Sequence, residues 1–123
     1  MKLFDSEYKI LDVLWQHGDL SASNIAKILG GETGWSKYTT YTVIRKCIAK
    51  GAVERYGDNF MCRPLISEKE VQQEEVTELI NKRFKGSIKN FFMSFTGNEK
   101  PLTPEEIEKL EKIIEDNRED KEK

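Results

Sequence analysis

WSKYTTYTVIRKCIAKG, residues 35–51, reads as a short basic helix with two unlike faces. With Thr40 taken as the reference on a helical wheel, Val43, Ile44, Cys47 and Ile48 follow at i+3, i+4, i+7 and i+8 and share its side. That side belongs in a core. The other side gathers Tyr38, Tyr41, Thr42, Arg45 and Lys46, and no carboxylate stands between Thr33 and Val53. A face of hydroxyls and cations suits the edge of DNA. Ser36 is the expected N-cap and Gly51 the stop, with Lys46 and Lys50 near the negative end of the helix dipole.

On the N-terminal side, Tyr8, Leu11, Leu14 and Trp15 predict a first helix over Ser6 to Gln16, capped by Asp5 and ended by Gly18. A short extended piece around Leu20 leads to Ser21, the expected cap of a second helix. This helix covers Ala22 to Leu29, with Ile25, Ile28 and Leu29 as its apolar edge and Gly30 and Gly31 as its stop. On the C-terminal side, Ala52 to Tyr56 and Asn59 to Leu65 predict two strands, joined by turn chemistry at Gly57, Asp58 and Asn59. Pro64 confines the second strand to an edge or to its own end. Three helices followed at once by a hairpin give the order of a winged helix-turn-helix domain.

The remaining sequence has a different character. Residues 1 to 66 carry 9 Lys/Arg and 7 Asp/Glu, whereas residues 67 to 123 carry 11 and 15. The second half is therefore acidic, and its charge density leaves less apolar material for a private core. Ser67 and Glu70 form a capping box for a helix bearing Val71, Val76, Leu79, Ile80 and Phe84 up to Gly86. A second helix, Ser87 to Phe95, holds Ile88, Phe91, Phe92, Met93 and Phe95, more large apolar side chains than so short a segment can hide. After a loop over Gly97 to Lys100, Thr103, Pro104 and Glu106 open a last helix with the stripe Ile107, Leu110, Ile113 and Ile114. From Asn117 the tail is charge without core and is expected to fray.

A two-fold operator requires a two-fold protein, and this half is short of internal burial. The aromatic helices therefore predict a dimer interface built from Leu79, Ile80, Phe84, Ile88, Phe91, Phe92, Phe95, Ile107, Leu110 and Ile114. For DNA, Ser36, Tyr38, Thr39, Tyr41 and Thr42 lie on the first turns, where a recognition helix meets base edges. Arg45 and Lys46 suit phosphates, and on the hairpin Arg55, Asn59 and Arg63 suit the backbone or the minor groove. Two tyrosines on a solvent face are unusual without a partner.

Other chemistry is poorly supported. Cys47 and Cys62 are the only cysteines, and neither has a Cys or His at metal-ligand spacing. Cys47 is expected in the core, and Cys62 on a strand face that can meet solvent as a free thiol. His17, the single histidine, suits the end of the first helix better than catalysis. GGETGWSK lacks the P-loop pattern, no nucleophile–base spacing is evident, and no cofactor is implied. No apolar run approaches the roughly 18 residues of a membrane span, and Lys2, Asp5, Glu7 and Lys9 interrupt any secretory segment, so membrane insertion is not expected. The expected location is the cytoplasm.

Taken together, YKILDVLW, LSASNIAKIL, GWSKYTTYTVIRKCIAKGAVER, INKRFKGSIKNFFMSF and LTPEEIEKLEKIIE occur in an order that resembles the penicillinase-repressor family. This is the family of BlaI/MecI-type bacterial repressors and their copper-responsive CopY relatives, and the resemblance covers nearly the whole chain. It implies a dimeric winged-helix repressor on a palindromic operator, often with TACA-like half-sites, inactivated when a signal arrives. By position, Ser36, Thr39, Tyr41 and Thr42 match the operator-reading end of the helix. Family members often have Pro after the capping Ser and a basic residue next but one. This chain has Lys37 and Tyr38 there, which leaves the preferred operator open.

In antibiotic-responsive members a membrane sensor with a metalloprotease domain leads to cleavage of an Asn-Phe bond, matched here by Ser94-Phe95. The cysteine cluster of the copper-responsive members is absent from the C-terminus, so release by metal through that motif is not implied.

The sequence therefore predicts a mainly α fold with a small β-hairpin: an N-terminal winged helix-turn-helix domain over residues 1–66 and a C-terminal helical dimerisation region over residues 67–123. The predicted function is a homodimeric DNA-binding repressor. The competing expectation is a winged-helix module that uses the tyrosine-rich face to bind a protein.

Overall fold

In chain order the elements are α1 (Asp5–His17), β1 (Leu20–Ser21), α2 (Ala22–Thr33), α3 (Lys37–Ala49), β2 (Val53–Tyr56), β3 (Met61–Pro64), α4 (Glu68–Arg83), α5 (Ile88–Thr96) and α6 (Pro104–Glu122). The computed structural model describes residues 1–96 and 103–122. The loop expected over Gly97 to Lys100 and the side chains of Ile113 and Ile114 lie outside the described residues. The chain divides into two compact units, Met1–Glu68 and Lys69–Lys123.

The first unit is built around α3. Thr40, Val43, Ile44 and Cys47 are buried along one stripe, as the i, i+3, i+4, i+7 spacing requires. Val43, Ile44 and Cys47 meet Ile10, Leu11 and Leu14 of α1, Ile25 and Leu29 of α2, and Val53 and Cys62 of the sheet in a single cluster. The buried Thr40 hydroxyl donates to the Ser36 carbonyl at 3.1 Å, so its polar atom is satisfied inside the helix. Trp15 closes the cluster at the far end, its indole N–H donating to the Ile66 carbonyl at 2.9 Å.

The hairpin belongs to a three-stranded antiparallel sheet of order β1-β3-β2. Leu20 pairs with Cys62 and Ser21 with Met61, so the extended piece near Leu20 makes β3 a central strand. Pro64 is nevertheless tolerated, because it ends β3 beyond the residues that β1 reaches. The strands are shorter than expected: Asn59 sits in the turn with Gly57, Asp58 and Phe60. In that turn Phe60 adopts φ +52°, a left-handed conformation uncommon for a bulky side chain.

Cys62 corrects the expectation of a solvent-facing thiol: it is wholly buried. Its register opposite Leu20 turns it inward. Burial pushes the Cys47 thiol up to about 12 and the Cys62 thiol up to about 11. Alkylation depends on thiolate, so at pH 8 both should react at least about a hundredfold more slowly in native protein than in urea. Rapid native labelling of either, read by mass spectrometry, would contradict their placement.

Three helix ends also differ from expectation. Phe4, not Asp5, occupies the N-cap position of α1, and its amide donates to the Glu7 carboxylate at 2.7 Å. Gly30 and Gly31 do not stop α2, which continues to Thr33 and ends at Gly34, φ +76°, whose amide donates to Gly30 O. Helical glycine costs about 1 kcal/mol, which packing around the buried Leu29 can offset, and the left-handed stop falls on Gly34. Finally α6 extends to Glu122, past Asn117, from which the sequence predicts fraying.

In the second unit, α4 closes with the Phe84 and Gly86 amides both donating to Ile80 O, Gly86 at φ +81°. Ser87 caps α5 through the Asn90 amide, and Thr103 caps α6 through the Glu106 amide, each at 3.1 Å. Phe91 is a hub, with Phe84, Phe92 and Phe95 edge-on at 5.3 Å between ring centres. Ile80 and Ile88 are buried within the single chain, which removes them from any surface a second copy would cover. Leu79, Val76 and Phe95 remain exposed, and Phe84, Phe91, Phe92, Ile107 and Leu110 are half-buried.

Candidate nucleic-acid interface

The start of α3 is fixed by local hydrogen bonds. Ser36 Oγ accepts from the Thr39 amide at 3.1 Å and donates to Thr39 Oγ1 at 3.0 Å, so its hydroxyl serves chiefly as a cap. Thr42 Oγ1 donates to Tyr38 O at 3.0 Å, leaving its lone pairs free to accept. No acidic residue lies in the first turn, so nothing there neutralises the positive end of the helix dipole. Ser36, Lys37, Tyr38 and Thr39 are exposed on these turns, Tyr38 at 80%. Arg45 and Lys46 are exposed further along.

Tyr41 departs from the expected solvent face. It is half-buried, packs on the core cluster and meets Phe60 edge-on at 5.7 Å. A wheel drawn for one helix leaves Tyr41 at the margin of the apolar face, and the hairpin covers that margin. The solvent-facing tyrosine pair therefore reduces to Tyr38.

The hairpin residues divide between the two faces of the sheet. Arg55 pairs with Cys62 and Glu54 with Arg63, so Arg55 shares the inward-looking face and Arg63 the outer one. Arg55 stacks its guanidinium 3.8 Å from the centre of the Phe60 ring, which in turn touches Tyr41. Lys37 and Arg45, one turn to either side of Tyr41, approach its ring at 5.5 and 5.9 Å. Arg45, Tyr41, Phe60 and Arg55 thus form one continuous ridge from helix to hairpin. Lys37, Arg45 and Arg55 make no ion pair among the described residues, which leaves them available to an external anion.

Arg63 is not part of this ridge. Its Nε lies 3.3 Å from Asp19 Oδ2 and a terminal nitrogen 3.4 Å from Glu54 Oε2, with the guanidinium 4.3 Å over the Tyr56 ring. Tyr56 also donates to Asp19 at 2.7 Å, which pushes its hydroxyl pKa up, and the Asp19 hydrogen bond raises that of Arg63. Asn59 is exposed at the turn.

Lys37 and Phe60 are functional candidates that sequence reasoning overlooked. A large apolar residue among Gly57, Asp58 and Asn59 is out of place in a solvated turn, and that was the available signal. Among the described residues no three His, Cys, Asp or Glu side chains group to hold a metal, and no described helix is long and apolar enough to cross a membrane.

A family model described as the penicillinase repressor matches residues 3–116. The chain is 26% identical over 119 residues to the penicillinase repressor of Bacillus licheniformis, covering 95% of this chain and 92% of the relative. It is 28% identical over 115 residues to the methicillin resistance regulatory protein MecI of Staphylococcus aureus, covering 92% and 93%. The solution structure of the DNA-binding domain of the repressor BlaI is similar at TM-score 0.52 and 27% identity, over 56% of this chain and 87% of that domain.

Proposed function

We propose that this chain, which belongs to the penicillinase repressor family, is a DNA-binding transcriptional repressor that acts as a homodimer on a palindromic operator. One observation carries the reading: the carboxylate-free start of α3 and the cations beside it form an uninterrupted basic edge next to the hairpin. Phosphate recognition needs unpaired Lys and Arg, and base reading needs exposed hydroxyls and aromatic edges on the first turns of the helix. The exposed Thr39 and Tyr38 and the half-buried Thr42 supply the latter. Residues 1–66 engage DNA and residues 67–123 hold two protomers together, and catalysis has no part in this function.

Arg45 and Lys46 act on phosphates. Changing either to Ala should weaken binding to operator and scrambled duplexes alike and make the salt slope shallower by about 0.9 per lost contact. Thr42→Ala should instead change the preference between duplexes. Titrations at two salt concentrations separate these outcomes. A wild-type chain with no salt-sensitive duplex complex would sink the repressor reading and favour a protein-interaction module built on Tyr38.

Release follows from loss of dimerisation, through cleavage at Ser94-Phe95 on a membrane sensor metalloprotease pathway or through another signal. The Ser94-Phe95 bond lies inside α5, where Ser94 Oγ donates to Phe91 O at 2.6 Å and the Phe95 ring packs on Phe91. A protease that binds an extended peptide would first have to unwind this turn.

A further inference from the structure

The contact between Tyr41 and Phe60 joins the two DNA-facing elements. We propose that Tyr41 is a positioning residue: its ring holds the hairpin wing on the recognition helix through Phe60, so that Arg45 and Arg55 meet DNA as one fixed ridge, and its hydroxyl reads no base. The inference rests on the DNA-binding reading above and reassigns a residue that the family resemblance places at the operator-reading end.

Three features support it. Tyr41 is half-buried and joined to the core cluster, so its ring is held in place before any ligand arrives. Phe60 keeps φ +52°, which costs a bulky residue free energy and persists where the surroundings compensate. The edge-on contact at 5.7 Å, together with the Ala22 amide donating to Phe60 O at 2.9 Å, supplies that compensation. The rings also gather charge. Arg55 over Phe60 at 3.8 Å, and Lys37 and Arg45 beside Tyr41 at 5.5 and 5.9 Å, place like charges along one edge where the electron-rich ring faces offset their repulsion.

The test uses the full chain with Tyr41→Phe, Tyr41→Leu, Phe60→Leu and the double leucine variant. Without DNA, the two leucine changes should be non-additive in the unfolding equilibrium, with a coupling of roughly two- to tenfold. On duplex, Tyr41→Phe should keep the base preference of the wild type at every position, because the ring remains. Arg55→Ala should make the salt slope shallower by about 0.9 in the wild type and have no further effect in Tyr41→Leu, where the wing is already loose. Retained fold but a shifted preference in Tyr41→Phe, additive leucine changes, or an Arg55 effect of equal size in both backgrounds would each overturn the proposal. If the wild type binds no duplex, the DNA reading fails by itself, and the cycle without DNA still decides whether Tyr41 holds the wing.

Discussion

Replacing Lys50 with methionine lowers stability by roughly 3 kcal/mol at neutral pH, because it strands a buried carboxylate. Lys50 Nζ lies 2.6 Å from Glu7 Oε1, with Glu7 only 1% exposed and the lysine side chain 29% exposed. Nζ also donates to Lys2 O at 2.9 Å and sits 4.2 Å from the centre of the Phe4 ring. The pair ties the end of α3 to the start of α1. Among the described residues Glu7 Oε2 has no hydrogen-bond partner, so the carboxylate depends heavily on the lysine and on the Phe4 amide. Glu7→Gln should cost less, since an amide oxygen can still accept from Phe4 and Lys50, and the charge left without its counter-ion is the lysine, 29% exposed and still bonded to Lys2 O, not a carboxylate at 1%.

The pH dependence distinguishes this from a packing defect. Burial pushes the Glu7 carboxyl up, but the Lys50 and Phe4 hydrogen bonds and the charges of Lys50 and Lys46 outweigh it and hold the pKa below its ordinary 4.5. A lowered folded-state value means that the contribution is present above about pH 4.5 and is lost as pH falls through the folded value. In Lys50→Met the burial effect dominates and the sign reverses: the penalty at neutral pH is relieved as the carboxyl protonates in acid. The stability gap between variant and wild type should therefore narrow from pH 7 to pH 4 in urea unfolding. A gap of constant size would mean that the carboxylate is not its cause.

The largest functional loss should come from the second unit. If the proposed homodimer forms through this unit, introducing glutamate at both Leu79 and Phe95, exposed by 43% and 74%, should split it and reduce operator affinity by about a hundredfold to ten-thousandfold through lost avidity. Both positions are exposed in the single chain, Phe95 gives up only its edge-on contact with Phe91 among the described ring contacts, and the buried Ile80 and Ile88 are themselves unchanged. Binding to a duplex holding one half-site should be almost unchanged, which separates lost assembly from lost folding. Light scattering that shows an intact dimer in the double variant would place the interface elsewhere.

The parts of this fold that could be read from sequence are those set by local chemistry. Ser36 and Gly51 bracket α3, and a 3.6-residue stripe of Thr40, Val43, Ile44 and Cys47 orients it, with all the information inside one helix. Gly57 and Asp58 mark the hairpin for the same reason. What escaped depends on partners distant in the chain. Two residues of β1 pair with β3 some 40 positions later, and no local pattern announces a ladder so short. That pairing turns Cys62 inward and brings Asp19 onto Arg63, removing an arginine from the candidate site.

Glu7 was not singled out: the stripe expected for the first helix was Tyr8, Leu11, Leu14 and Trp15, whereas Glu7 is buried with Ile10, Leu11, Val13 and Leu14, and its partner Lys50 is 43 residues away. Tyr41 stands at the margin of a helical face, and whether such a residue meets solvent or a neighbour is decided by the wing. For the second unit, apolar content predicted a need for burial. It could not divide Ile80 and Ile88, covered within the chain, from Leu79 and Phe95, left open.

Selection of the full-length protein against a library of random duplexes, read at two salt concentrations, tests the central claim most directly. Enrichment of an inverted repeat, its half-sites a whole number of helical turns apart and its affinity falling linearly in log salt, is the predicted result. Absence of any enriched sequence, or recovery of a single unrepeated site bound by one protomer, would contradict a repressor that lays two copies of α3 on DNA.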